Sequence, residues 1–357
     1  MSKKALIAMS GGVDSSVAAF LTKRDGFDCI GVTMKLFENY DVGISSEKSC
    51  CSIDDTEAAR SVAYLLNMPH YVFNFASDFK SQVIEKFINA YHNGETPNPC
   101  IDCNRSMKFE RLLYRAKQLG MDYIVTGHYA RIEYDTGTGR YLLKKAVDES
   151  KDQSYVLYSM TQEQLSHTLF PLGRLQKAEV RNIADKQGFV NAGKRDSQDI
   201  CFVPDGDYAE FIEQYTGKVY EGGDFIDTHG NVLGRHRGLI RYTVGQRRGL
   251  RLSMKSAMYV QSKNTADNTI TLCDNNGLFS KSLVAADFNW IAYDKMDYPV
   301  QLKARVRYNQ KEQRAIATQI SGDTVQIEFI QPQRAISKGQ AVVLYDGDVV
   351  VGGGTIK

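Results

Sequence analysis

The stretch Ser10-Gly11-Gly12-Val13-Asp14-Ser15-Ser16 constrains the fold more than any other, because it joins an apolar run, residues 5–9, to a helical segment, residues 17–23. That order reads as strand, tight turn, helix. Two adjacent glycines let the backbone come close to a ligand, and the turn's N–H groups together with the helix N-terminus gather a polyanion such as phosphate. The spacing is neither that of a Walker A loop nor that of a Gly-x-Gly-x-x-Gly dinucleotide fingerprint. Further strands follow at residues 29–34, 71–75 and 124–128, with helices opening at Asp54 and covering residues 79–91 between them. This alternation predicts a doubly wound parallel-sheet α/β domain with its nucleotide site at the carboxyl ends of the strands.

A chain of 357 residues exceeds what one core usually holds. Residues 131–144 alternate around Thr136-Gly137-Thr138-Gly139 and read as an exposed hairpin, and residues 151–158 open a helical region. From about Asp207 the β-α rhythm gives way to short alternating strands punctuated by Gly, Asn and Asp turns, so an all-β tail is expected. The net charge is only +2, so any nucleic-acid surface must come from local clustering. Arg235, His236, Arg237, Arg241, Arg247, Arg248 and Arg251 gather around Tyr242, and Lys303, Arg305, Arg307 and Tyr308 alternate further on. So many arginines among so few acids predict a surface that tracks phosphates. The start of the chain lacks a signal-peptide pattern and no apolar run is long enough to span a bilayer, so a cytoplasmic protein with no membrane partner is expected.

Seven cysteines do not suit a secreted disulfide framework; in a reducing compartment they point to metal or redox chemistry. Cys100-Ile101-Asp102-Cys103 sits in a loop stiffened by Pro97 and Pro99. Such a Cys-x-x-Cys suits half a zinc site, a redox pair, or two ligands of an iron–sulfur cluster. Zinc is the weakest of these, since no second ligand pair is present. Cys201 lies near Lys194 and Arg195, which favour a thiolate. Cys50 and Cys51 read as small residues at a loop-to-helix boundary or as an oxidisable or metal-binding pair, and Cys29 and Cys273 as strand residues.

Taken together, Ser10 to Ser16, Thr96-Pro97-Asn98-Pro99 with Cys103-Asn104, Thr126-Gly127-His128-Tyr129, Lys151-Asp152-Gln153-Ser154-Tyr155, Asp196-Ser197 with Ile200-Cys201-Phe202, and Tyr242 to Leu250 follow one another in a familiar order. In order and spacing the chain resembles the tRNA-specific 2-thiouridylases (MnmA type) of the ATP pyrophosphatase, or PP-loop, superfamily. It departs from part of that family in having Cys100 where an Asp is expected. The resemblance implies a PP-loop domain over residues 1–206, a small β-rich central domain over 207–276 and a C-terminal β-barrel over 277–357.

It also implies a reaction: ATP-dependent 2-thiolation of the wobble uridine of tRNAs of the lysine, glutamate and glutamine type. Ala8, Met9, Ser10, Gly11, Gly12, Val13, Asp14, Ser15, Met34 and Gly127 would hold ATP, with Mg²⁺ on its phosphates. Cys201 would carry a persulfide charged by a sulfur-relay donor protein. Cys103 would release the sulfur, either by forming a disulfide with Cys201 or by reducing the persulfide to sulfide. Asn98, Pro99 and Cys100 would border the target base, and His128, Lys151, Asp152, Gln153, Arg307, Tyr308 and Gln340 would contact tRNA. The alternative within this chemistry is a [4Fe–4S] cluster on Cys100, Cys103 and Cys201. A pyrophosphate-loop ligase of a small carboxylate and a non-catalytic RNA-binding protein are the rival readings; the first leaves Cys103, Cys201 and the arginine-rich tail unexplained, and the second predicts RNA binding without ATP–pyrophosphate exchange.

Overall fold

Strand β1 (Lys4–Ala8) lies in the middle of a sheet with both faces covered, which is why Ala5, Leu6 and Ile7 are fully buried. The computed structural model describes residues 2–37, 53–195, 200–203 and 206–357. Parallel to β1 run β2 (Asp28–Lys35), β3 (His70–Asn74), β4 (Tyr123–Val125) and, beyond the hairpin of β5 (Ala130–Asp135) and β6 (Arg140–Lys145), β7 (Thr168–Leu169). Their order is β3-β2-β1-β4-β7. The chain therefore moves outward from β1 on one side and returns on the other, and the direction reverses between β1 and β4. Ligands of open α/β sheets bind at such a point.

Side chains alternate between the two faces. Ala5 and Ile7 meet α1 (Val13–Arg24) and α2 (Ile53–Leu65) through Val17, Ala18, Leu21 and Val62. Leu6, Val32 and Ile124 face the other way, into a larger core. Two long helical segments supply it. In the first, α3 (Ala76–Phe79) runs through a π-helical turn (Lys80–Ile84) into α4 (Glu85–His92). In the second, α5 (Pro99–Asp102) continues through a π-helical stretch (Cys103–Arg111) into α6 (Leu112–Gln118). After a 3₁₀ turn (Ser154–Leu157) come α7 (Gln162–Ser166), α8 (Lys177–Lys186) and α9 (Tyr208–Thr216).

The tail expected to be all-β from about Asp207 opens instead with α9, because Asp207 caps that helix by accepting from Ala209 N and Glu210 N, and Phe211 and Ile212 are drawn into the larger core. Strands follow from residue 224. Strands β8 (Asp224–Ile226), β9 (Val232–Arg235), β10 (Tyr259–Asn264) and β11 (Thr269–Cys273) pair in the order β10-β11-β8-β9 around Phe225, Tyr242, Val260 and Ile270. The last six strands are β12 (Phe279–Trp290), β13 (Val300–Arg305), β14 (Gln313–Ser321), β15 (Thr324–Arg334), β16 (Ala341–Asp346) and β17 (Val349–Ile356). They run β12-β15-β14-β13-β16-β17, and β17 pairs back onto β12, so the barrel is closed. No helix of the described residues is long and apolar enough to cross a membrane.

The hairpin of residues 131–144 forms with its turn, residues 136–139, exposed as expected, but its base is covered. Val349 of β17 registers with Lys144 of β6, Leu143 is fully buried, and Arg131 and Lys144 both pair with Asp348. Alternation identified the two strands; it held no sign that a barrel 200 residues on would dock against them. The expected helix at residues 151–158 shortens to the 3₁₀ turn, because Tyr155 is drawn wholly inward and its hydroxyl donates to Ala341 O at 2.8 Å.

The larger core also reaches past the parallel sheet. Phe211 and Ile212 of α9 and Val343 and Tyr345 of β16 belong to it. Its centre is Phe202, with ring centroids 5.7 Å from Phe79, 5.3 Å from Phe87 and 5.3 Å from Phe211. Phe202→Ala is therefore expected to lower the unfolding free energy by about 3–5 kcal/mol, the usual loss for emptying a phenylalanine site. Urea denaturation reads this, and a loss under about 1 kcal/mol would show that the aromatic cluster does not anchor the Cys201 segment.

Candidate active site

The glycine turn takes its shape from its own serines. Ser15 Oγ and Ser16 Oγ donate to Gly12 O at 3.0 and 3.1 Å, and Ser10 N donates to Ser15 Oγ at 3.2 Å. Gly11 has φ +73°, and a Cβ built there would lie 2.3 Å from Asp55 O, so both conformation and the first turn of α2 demand glycine. Gly12 differs. It is the N-cap of α1 with no side-chain cap, and a Cβ on it would meet only Ser10 Oγ at 3.5 Å. The first turn of α1 thus presents N–H groups beside open space, the arrangement that receives phosphate.

Around the turn, Ala8 is half-buried, Met9 and Val13 are buried, and Met9 N donates to Val32 O at 2.8 Å. Met34 is half-buried near the end of β2 and packs on the larger core. Gly127, just past β4, lies so close to α1 that a Cβ would sit 2.8 Å from both Asp14 C and Ser15 N. The β4 end and the phosphate-type turn are therefore one surface.

Sequence reasoning missed three residues that hold this turn. Lys177 Nζ reaches both oxygens of Asp14, at 2.7 and 2.8 Å, and Tyr129 OH donates to Asp14 Oδ1 at 2.8 Å. Asn191 Nδ2 donates to Gly11 O and Ser16 Oγ, both at 2.9 Å. Tyr129 stood inside a quoted motif without a role. Lys177 and Asn191 sit in ordinary helical and loop sequence more than 160 residues from Asp14, where no local pattern marks them.

The cysteine loop is shaped by a cap. Asn98 Oδ1 accepts from Cys100 N at 3.2 Å as the N-cap of α5, with buried Pro99 in its first turn. Cys103 then opens the π-helical stretch, half-buried, and the next residue, Asn104, donates to Val156 O at 3.1 Å. Cys201 is also half-buried and packs on the same core as Cys103. Cys100 is exposed as a residue, yet the protein crowds its sulfur enough that desolvation raises the thiol's pKa, opposed by the nearby charge of Lys108. Residues 196–199 of the Cys201 motif lie outside the described residues, as do Cys50 and Cys51.

Among the described residues no three His, Cys, Asp or Glu side chains converge as a metal-binding set.

Several residues expected at tRNA hold the molecule together. Gln340 Nε2 donates to Thr96 O at 2.8 Å, which clamps the cysteine loop from the barrel. Arg307 Nη2 donates to Val244 O, Ala335 O and Ser337 Oγ at 2.8–3.1 Å, and Tyr308 OH donates to Asp152 O at 3.1 Å. Asp152 is buried, its carboxylate accepting from Ala146 N, Ser154 N and Ser154 Oγ. Gln153 Oε1 accepts from Tyr129 N at 2.9 Å, and Lys151 is half-buried beside them. His128 is buried too, and desolvation, with Lys108 nearby, holds it well below the usual imidazole pKa. In the central region Arg237, Arg241, Gln246 and Arg307 line an open groove of about 670 Å³, while Arg247 and Arg248 are exposed.

Substitutions at the two glycines should separate fold from function. Gly11→Ala should destabilise the protein, because strain and a backbone clash come together. Gly12→Val should leave the melting temperature within a few degrees while abolishing ATP binding measured by calorimetry. Nucleotide affinity unchanged in Gly12→Val would remove the phosphate site from this turn. Lys177→Met leaves Asp14 without its ion-pair partner, so weaker ATP binding is expected there, with Lys177→Arg recovering part of it; equal affinities in all three proteins would separate the pair from the nucleotide site.

Residues 3–205 match the tRNA methyl transferase HUP domain, residues 209–274 the tRNA methyl transferase PRC-barrel domain, and residues 280–356 the aminomethyltransferase beta-barrel domain. The tRNA-specific 2-thiouridylase MnmA of Clostridioides difficile is 51% identical over 357 residues, covering 100% of this chain and 99% of that protein. The protein of the same name from Acetivibrio thermocellus is 49% identical, covering 99% of each chain, and that from Clostridium acetobutylicum is 46% identical, covering 100% of each. With kinship of this depth along its whole length, and with the glycine turn and the cysteine loop both in place, the chain belongs to the tRNA-specific 2-thiouridylase family.

Proposed function

We propose that the protein catalyses ATP-dependent 2-thiolation of the wobble uridine of tRNA. The observation that carries this reading is the uncapped, open first turn of α1 built into the same domain as two half-buried cysteines on one core. Such a pairing suits a reaction in two parts. A uracil carbonyl oxygen is a poor leaving group, so it first attacks the α-phosphorus of ATP and expels pyrophosphate. Sulfur then attacks C2, and the oxygen departs as part of AMP.

In this reading the turn from Ala8 to Ser15, with Met34 and Gly127, holds ATP. Mg²⁺ would be carried on the nucleotide's own phosphate oxygens, since the turn's carboxylate, Asp14, is already held by Lys177 and Tyr129. Cys201 bears the persulfide, charged by a donor protein that carries sulfur in the same form. Cys103 attacks the inner sulfur once the outer one is bonded to C2; the S–S pair moves onto the transferred sulfur, and Cys103 and Cys201 are left as a disulfide for an external thiol to reduce. Asn98, Pro99 and Cys100 border the base.

The tRNA itself would lie along the groove of the central region and the barrel, in the cytoplasm, with functional units at residues 1–206, 207–276 and 277–357. Of the basic residues expected to face it, Arg247 and Arg248 are adjacent and exposed, whereas Arg307 is tied to three internal acceptors. Neutralising Arg247 and Arg248 together should weaken tRNA binding and flatten its salt dependence, since each lost phosphate contact removes about one released counterion from the slope. An unchanged slope would return both to the solvated surface.

The direct test incubates purified protein with unmodified tRNA, ATP, Mg²⁺ and a persulfide donor, then searches the digested RNA for 2-thiouridine. The wild-type protein should form it, Cys103→Ser and Cys201→Ser should not, and Cys100→Ser should be only moderately slower. Absence of 2-thiouridine from the wild type, or full activity without Cys103, would contradict the proposal.

A further inference from the structure

Lys108 stands on the π-helical stretch that begins at Cys103, half-buried, with its Nζ 3.4 Å from His128 Nε2. Among the described residues it has no carboxylate partner. A half-buried ammonium is costly unless something negative compensates it, so the lack of a carboxylate beside it is a mark of use. What holds it is a neutral ring. Thr126 Oγ1 lies 2.6 Å from His128 Nδ1, and a lysine donating to Nε2 requires that nitrogen to be bare, so the ring proton sits on Nδ1 and points to Thr126. Burial and the charge of Lys108 itself keep the imidazole uncharged, which agrees with that tautomer.

The position of this ammonium relates it to both halves of the site. His128 follows Gly127, which abuts the first turn of α1 at Asp14 and Ser15. On the other side Lys108 lies near enough to Cys100 for its charge to favour the thiolate. Lys108 is thus tied through His128 and Gly127 to the phosphate-type turn and through its own helical stretch to Cys103, the two segments that would hold the nucleotide and the sulfur.

We propose that Lys108 is a further catalytic residue, whose ammonium takes up the charge that develops on the phosphate when AMP leaves, and that His128 positions it. The inference rests on the thiolation reading above. The step balances without a proton: the sulfur's electron pair forms the C2–S bond, the C2–O pair departs on the oxygen, and the phosphate passes from one negative charge to two. A preorganised charge at such a point typically contributes about 10²–10³ in rate. Lys108 acts on departure of AMP, so formation of pyrophosphate, which precedes it, should be spared.

The test is single-turnover kinetics with enzyme in excess over tRNA. Pyrophosphate release is measured without a sulfur donor and thiolation with a persulfide donor. In Lys108→Gln, pyrophosphate release should stay within about threefold of wild type while thiolation slows about 100-fold or more. Adenylated tRNA should accumulate, tRNA affinity should hold, and Lys108→Arg should recover part of the loss. His128→Ala should show the same split more weakly. Thiolation within about threefold of wild type in Lys108→Gln, or a parallel fall in both steps, overturns the proposal. If Lys108→Gln does not fold, Lys108→Arg decides in the same way: slowed thiolation with normal pyrophosphate release supports the role, and equal effects on both steps reject it. Failure of the wild type itself to release pyrophosphate with tRNA would instead strike the thiolation reading, so the two failures are distinguishable.

Discussion

The first turn of α1 begins at a glycine that no side chain caps, and much of the interior is arranged to keep it so. Unpaired N–H groups at a helix start are stable only if a ligand or water takes them. Here Ser15 and Ser16 donate their hydroxyls back to Gly12 O, and Asn191 donates to Gly11 O. Asp14, the acid nearest the anion site, is neutralised by Lys177 and steadied by Tyr129. A polyanion can then approach without meeting an uncompensated carboxylate.

A second constraint is that the cysteine loop must be held in place by parts of the chain far away in sequence. The barrel does this through backbone acceptors. Thr96 N donates to Lys338 O at 2.8 Å, Gln340 returns a bond to Thr96 O, and Gly339, at φ +84°, lets Glu95 and Thr96 pass where a Cβ would be 2.9 Å from Glu95 Cβ. Asn289 reaches Tyr158 O and Met160 O from β12 at 2.7 and 3.0 Å. The β tail is thus structural for the loop as well as a surface for RNA, and losses of activity from substitutions at Arg307, Tyr308 or Gln340 have two physical routes.

How much of this was legible beforehand follows from range. The glycine turn and the α/β alternation are written in neighbouring residues, and each emerges where it was expected, whereas the loop expected at Cys100 is a short helix that Asn98 caps. Lys177 with Asp14, Asn191 with Gly11 and Arg307 with Val244 are pairings between distant segments; nothing in the spacing of either partner carries them. The hairpin at residues 131–144 shows the boundary well. Its alternation and its Gly turn are local, so the strands were readable, whereas the barrel that covers it was not. Lys108 lies between the two cases: it stands five residues from Cys103, but its lack of a carboxylate partner among the described residues and its bond to a neutral His128 exist only in three dimensions.

The central claim is that the uracil oxygen is activated by the nucleotide at the α1 turn before sulfur from the cysteine side replaces it. Its most direct measurement follows that oxygen. With tRNA carrying ¹⁸O at C2 of the target uridine, one round of thiolation should place the label in the phosphate of AMP, in an amount equal to the 2-thiouridine formed. Unlabelled AMP alongside full 2-thiouridine, with the label in water or in pyrophosphate, would contradict the account.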